Sequence, residues 1–63
     1  MTNEELIEAL LDIVDAERSD RVENSEKLVV LGYAERRTKG FWPTNAGWNF
    51  LGQRGRAFDL RGN

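Results

Sequence analysis

The chain has 63 residues, a net charge of −2, no Cys, no His and a single Pro. That length bounds it to one small domain, which buries roughly 60% of the surface its unfolded form exposes. Without Cys or His, disulfide frameworks, zinc sites and thiol or imidazole catalysis are excluded, and no metal or cofactor is expected.

Hydrophobic residues make up 40% of the chain, including two Trp and three Phe, too many for a disordered polymer. No apolar run approaches the ~18 residues of a membrane-spanning helix, and no signal segment opens the chain. A soluble, cytoplasmic protein is expected. Its charge is unevenly spread. Residues 1–32 hold nine acidic side chains against three basic, a net −6, whereas residues 33–63 hold six basic against two acidic, a net +4. Either the second half meets a polyanion, or acidic and basic faces complement each other between copies.

Thr2 followed by Glu5 has the spacing of a capping box, and Glu4 and Glu5 suit the positive end of a helix dipole. From there apolar residues at 6, 7, 10, 11, 13 and 14 predict an amphipathic helix from Asn3 to about Glu17. Its acidic side is expected to be a solvated face. Asp20 with Glu23 predicts a second capping box, with Asn24 or Ser25 as alternative later caps. The helix it opens should end at Gly32, where a left-handed residue stops the spiral. Val29 and Val30 are weak helix formers, so a strand over 27–31 is the competing reading.

Tyr33–Arg37 and Phe41–Thr44 are predicted as two short strands around a Thr38-Lys39-Gly40 turn. Pro43 confines the second strand to an edge. Such a ribbon needs helices to cover one face, with Tyr33, Phe41 or Trp42 pointing toward them. Thr44 is the expected N-cap of a last helix, whose buried stripe includes Trp48 and Leu51. Gly47 in its first turn costs about 1 kcal/mol against Ala, and makes most sense if another backbone packs on it. A domain over residues 1–53 and a flexible Arg/Gly-containing tail over 54–63 are therefore expected. The fold class is α+β: two N-terminal helices, a two-stranded hairpin and a short C-terminal helix.

The run Leu28-x-x-Leu31-Gly32-Tyr33-x-Glu35-Arg36-Arg37, a turn, then Phe41-Trp42-x-Thr44-x-Ala46-Gly47-x-x-x-Leu51 resembles the second half of a winged-helix domain. It is similar to bacterial transcription regulators of the MarR and PadR kind, trimmed by one helix. The resemblance implies DNA contact through a basic wing at Arg36, Arg37, Thr38 and Lys39. It also places Asn24 and Lys27 on the helix that would enter the major groove. Arg54 and Arg56 of the tail could add sequence-independent contacts. That helix also carries Glu23 and Glu26, which oppose approach to phosphates.

Two non-enzymatic functions follow from these residues. One is a small DNA-binding or transcription-associated regulator acting through the wing, as a homodimer if it binds tightly. The other is a protein-interaction module that docks on a larger protein through its acidic first helix and Phe41, Trp42 or Phe58. Adjacent strand residues face opposite ways, so one of Phe41 and Trp42 should be core and the other an exposed anchor.

Overall fold

The computed structural model describes residues 1–59 of the chain. The elements are helix α1 (Asn3–Val14), helix α2 (Val22–Leu31), strands β1 (Ala34–Arg37) and β2 (Gly40–Pro43), helix α3 (Asn45–Leu51), and a 3₁₀ segment Gly52–Phe58. The described residues form a mixed α+β domain of three α-helices and one antiparallel hairpin, as the sequence implies. None of the described helices is long and apolar enough to cross a membrane.

Helix α1 sits in the middle. It touches α2, β2, α3 and the 3₁₀ segment, so its buried side is an arc rather than a stripe. Leu6, Ala9, Leu10, Leu11 and Val14 are all buried, joined in the core by Leu28, Ala34, Trp48 and Leu51. The expected capping box forms in full: the Thr2 Oγ1 accepts the Glu5 N–H and the Glu5 carboxylate accepts the Thr2 N–H. The helix stops with the last residue of its apolar pattern, Val14, three residues before the expected end at Glu17. Asp15 leaves helical geometry and its carboxylate accepts the Glu17 N–H, a local bond that competes with continuing the helix.

The second capping box does not form. Arg21 occupies the N-cap of α2 without a side-chain cap bond. Asp20 instead accepts a 3.5 Å bond from the hydroxyl of buried Ser25. Residues 27–31 are helical, so the competing strand is excluded. Gly32 closes α2 at φ 87°; its N–H reaches the Val29 carbonyl and the Tyr33 N–H reaches that of Leu28. Those two bonds satisfy carbonyls that a helix end leaves open.

The hairpin pairs Ala34 with Pro43, Glu35 with Trp42, Arg36 with Phe41 and Arg37 with Gly40. Only Thr38 and Lys39 form the turn, both at negative φ; Gly40, at φ 133°, already belongs to β2. One end of the ribbon is locked to α3 by a compact set of bonds. Thr44 caps α3 by accepting the Gly47 N–H at 3.2 Å, donates its hydroxyl to the Gly32 carbonyl at 2.7 Å, and donates its backbone N–H to the Tyr33 carbonyl at 3.0 Å. Gly47 permits that approach. A Cβ built there would lie 2.0 Å from the Tyr33 carbonyl oxygen.

The segment expected as a flexible tail begins differently. Residues 52–58 form the 3₁₀ segment, Gly55 is buried against Leu51 and Trp48, and Phe58 packs on the core. The expectation for residues 60–63 lies outside the described residues.

Candidate interaction site

The hairpin carries the cations that the sequence singles out, and the structure gives most of them partners. Arg36 pairs with Glu26 of α2 at 3.0 Å, and its guanidinium lies 5.9 Å from the Phe41 ring centroid, within cation–π range. Arg37 grips Glu35 on its own strand through two nitrogens, at 3.0 and 2.6 Å. Thr38 and Lys39 are exposed at the tip, and among the described residues Lys39 enters no ion pair. The wing is therefore half neutralised from within.

The same holds across the molecule. Arg54 reaches Glu8 at 3.0 Å and Glu4 at 4.0 Å on α1. Arg56 is exposed in the 3₁₀ segment and forms no ion pair among the described residues. Arg18 gathers Glu8, Asp12 and Asp15. The hydrogen bonds from Arg18 and then Arg54 lower the Glu8 pKa, while bonds to Glu8 and Asp12 raise that of Arg18. The Glu5 pKa is lowered by its bonds to Thr2. The acidic and basic halves thus meet inside one copy, through Arg36–Glu26 and Arg54–Glu8.

The aromatic residues divide as adjacent strand positions should. Trp42 packs on the core and makes an edge contact with Trp48, ring centroids 5.8 Å apart. Phe41 is half-buried under Arg36 and stands outside the core cluster. Phe58 packs inward, and Tyr33 stacks obliquely on Phe50 at 5.0 Å. Of the three aromatics named as docking residues, Phe41 is left as the outward one.

Sequence reasoning missed the surface that stands out most. Among the described residues, the exposed large apolar side chains are Met1 (46% exposed), Val22 (61%), Val30 (87%) and Leu31 (52%). Met1, Val30 and Leu31, with Glu23, Glu26 and Lys27, line an open groove of about 560 Å³ along α2. A second groove of about 510 Å³ runs between α1 and α2, lined by Glu4, Glu5, Glu8 and Asp12 with Asn24, Arg21 and again Met1 and Lys27. Asn24 and Lys27 therefore belong to the helix grooves and not to the hairpin. A signal for this surface existed in Leu28-Val29-Val30-Leu31. Four consecutive apolar residues sweep most of the way round a helix, so with Leu28 in the core, Val30 must face away.

Compared with known protein families, curated proteins and solved structures, the chain shows no match.

Proposed function

We propose that this chain is a non-enzymatic, cytoplasmic protein-interaction module that docks on a larger protein through the outward face of α2. One observation carries the reading: Met1, Val30 and Leu31, large apolar side chains left exposed, line one open groove along that helix, while exposed Val22 lies apart at the helix start. Folding gives no return for exposing them, whereas clustered apolar surface with a polar rim is what partner recognition uses. The order helix, helix, hairpin, capped helix supports a trimmed winged-helix scaffold of the MarR and PadR kind, with its second helix adapted to protein rather than DNA. Glu23 and Glu26 flank Val30 and Leu31 on that face with Lys27 as its one cation, so it offers a phosphate backbone little attraction.

The exposed wing supports a second reading, in which Arg36, Arg37, Thr38 and Lys39 contact DNA. Exposed ion pairs are worth only about 0–1 kcal/mol, so phosphates could replace Glu26 and Glu35 at little cost. One pair of variants separates the two. Val30→Asp should leave the melting temperature unchanged and abolish retention of a partner protein that the wild-type chain captures. Joint replacement of Arg36 and Arg37 by Ala should leave that capture intact. A duplex-DNA titration at about 50 and 200 mM salt provides the other arm. Salt-sensitive DNA binding lost with the two arginines, together with capture that ignores Val30→Asp, would replace the docking reading with the wing reading.

A further inference from the structure

Resting on that docking reading, the charges around the face bear on its state in the free protein. We infer that a second copy of the chain covers it, in an antiparallel two-fold pairing of α2 with α2 that excludes a docking partner while it lasts. Three observations point there. First, Glu23, Lys27, Val30 and Leu31 are exposed on the side of α2 opposite buried Ser25 and Leu28, so charged and apolar side chains share one stripe. Second, the charges on that stripe are balanced and unpaired. Glu23 precedes Lys27 by four residues, the favourable order for a pair within one helix, yet among the described residues neither enters an ion pair. Such a stripe selects neither a strongly basic nor a strongly acidic partner. Third, its order is its own complement. A two-fold axis across the helix reverses the chain direction, so Glu-x-x-x-Lys in one copy faces Lys-x-x-x-Glu in the other.

Helix arithmetic gives a register that uses the charges and the apolar residues together. Helix α2 has ten residues and is about 15 Å long. With the axis at its middle, between Glu26 and Lys27, Lys27 of each copy lies within one turn of both Glu23 and Glu26 of the other. Val30 then lies level with Glu23 of the other copy, where the methylene stem of Lys27 covers it while the charged end stays in water. Met1 and Leu31, which line the same groove as Val30, flank that contact. Glu26 approaches its own counterpart across the axis, but Arg36 pairs with it at 3.0 Å and limits the repulsion. A contact about 15 Å long is small beside the roughly 800 Å² that each partner of a standard interface buries. The pair is therefore weak and reversible, as a face that also receives a partner requires.

The test is sedimentation equilibrium on the full chain from about 10 μM to about 1 mM, a range in which a weak dimer forms by mass action. The wild-type chain should pass from monomer to dimer, and Val30→Asp should stay monomeric throughout. Glu23→Lys alone and Lys27→Glu alone should each weaken association at least about tenfold, because each sets like charges against each other across the axis. An equimolar mixture of those two variants should associate at least as well as the wild type, since opposite charges then meet at both positions. Circular dichroism of each variant should match the wild type, as all three positions are exposed. A merely structural effect of either charge reversal has no reason to be rescued by the other variant in trans.

A wild-type chain that stays monomeric to about 1 mM would overturn the inference and leave the docking reading standing, because capture of a partner needs only the monomer's face. A dimer that survives Val30→Asp uses another surface and would also overturn it. So would a dimer lost in both charge variants and not restored in their mixture, since the antiparallel match would then be absent. The docking reading fails separately, through capture that ignores Val30→Asp, whatever the sedimentation shows.

Discussion

At the scale of single residues, the best-determined point is the junction of Gly32, Tyr33, Thr44 and Gly47. Thr44 alone makes three hydrogen bonds there, one as acceptor and two as donor. They join the end of α2 to the start of α3, which brackets the hairpin. Gly47→Ala should therefore be destabilising although Ala is the better helix former by about 1 kcal/mol. The new Cβ would meet the Tyr33 carbonyl oxygen at 2.0 Å, and a backbone atom held by the Thr44 N–H cannot rotate aside as a side chain can. Overpacking of this kind costs about 1–3 kcal/mol or more, so a net loss of about 2 kcal/mol is expected in urea unfolding. A midpoint equal to or above that of the wild type would show that α3 shifts freely against the hairpin. This part of the fold was legible beforehand. A glycine in a first helical turn, straight after a Thr cap, has few reasons to exist other than close backbone contact.

At the scale of elements, α1 and α2 contrast in how their ends are made. The capping box of α1 has a regular spacing and was readable; the absence of one on α2 was not, because Asp20 is diverted to buried Ser25. Such a diversion depends on a tertiary contact that no local pattern contains. The acidic face of α1 was also only half legible. It was expected to be simply solvated, but Arg18 and Arg54 bind it from other parts of the chain. This arrangement gives α1 a dependence on pH. Glu5 and Glu8 both have pKa values lowered in the folded state from 4.5, so the unfolded chain takes up protons first as pH falls. Their contribution is complete above the ordinary glutamate value. It drains away from about pH 5 downward, through the lowered folded-state values. Glu8→Gln should lower stability at pH 7 and make the acid dependence shallower, leaving the Glu5 part. Unfolding midpoints for the two proteins, followed in urea from pH 7 to about pH 3, check this. Parallel curves would mean that the Arg18 and Arg54 contacts are too solvent-screened to matter.

At the scale of the whole molecule, the motif-bearing run of the sequence is Leu28–Leu51, whereas the packing is organised by α1. Among the described residues, five of the nine that form the buried hydrophobic core come from that helix, and α2, β2, α3 and the 3₁₀ segment close round it. Periodicity gave the helix but not its centrality, because an arc of burial and a stripe look alike until the neighbours are known. The 3₁₀ segment shows the same limit more sharply. Gln53-Arg54-Gly55-Arg56 has no apolar period, and its order comes from Gly55 fitting against Leu51 and Trp48 and from Phe58 reaching the core. A domain of this length has a net stability of roughly 3–9 kcal/mol, so a single added aromatic contact is a large share. Phe58→Ala should then cost less than the about 3–5 kcal/mol of a fully buried Phe, because Phe58 is only half-buried, yet lower the whole unfolding transition rather than fray one end. Global stability from hydrogen exchange distinguishes these outcomes. If the slowest amides of α1 lose protection together with those of residues 52–58, the segment belongs to the cooperative core. Loss confined to residues 52–58 would instead return it to the status of a tail, and leave α1 covered by α2, the hairpin and α3 alone.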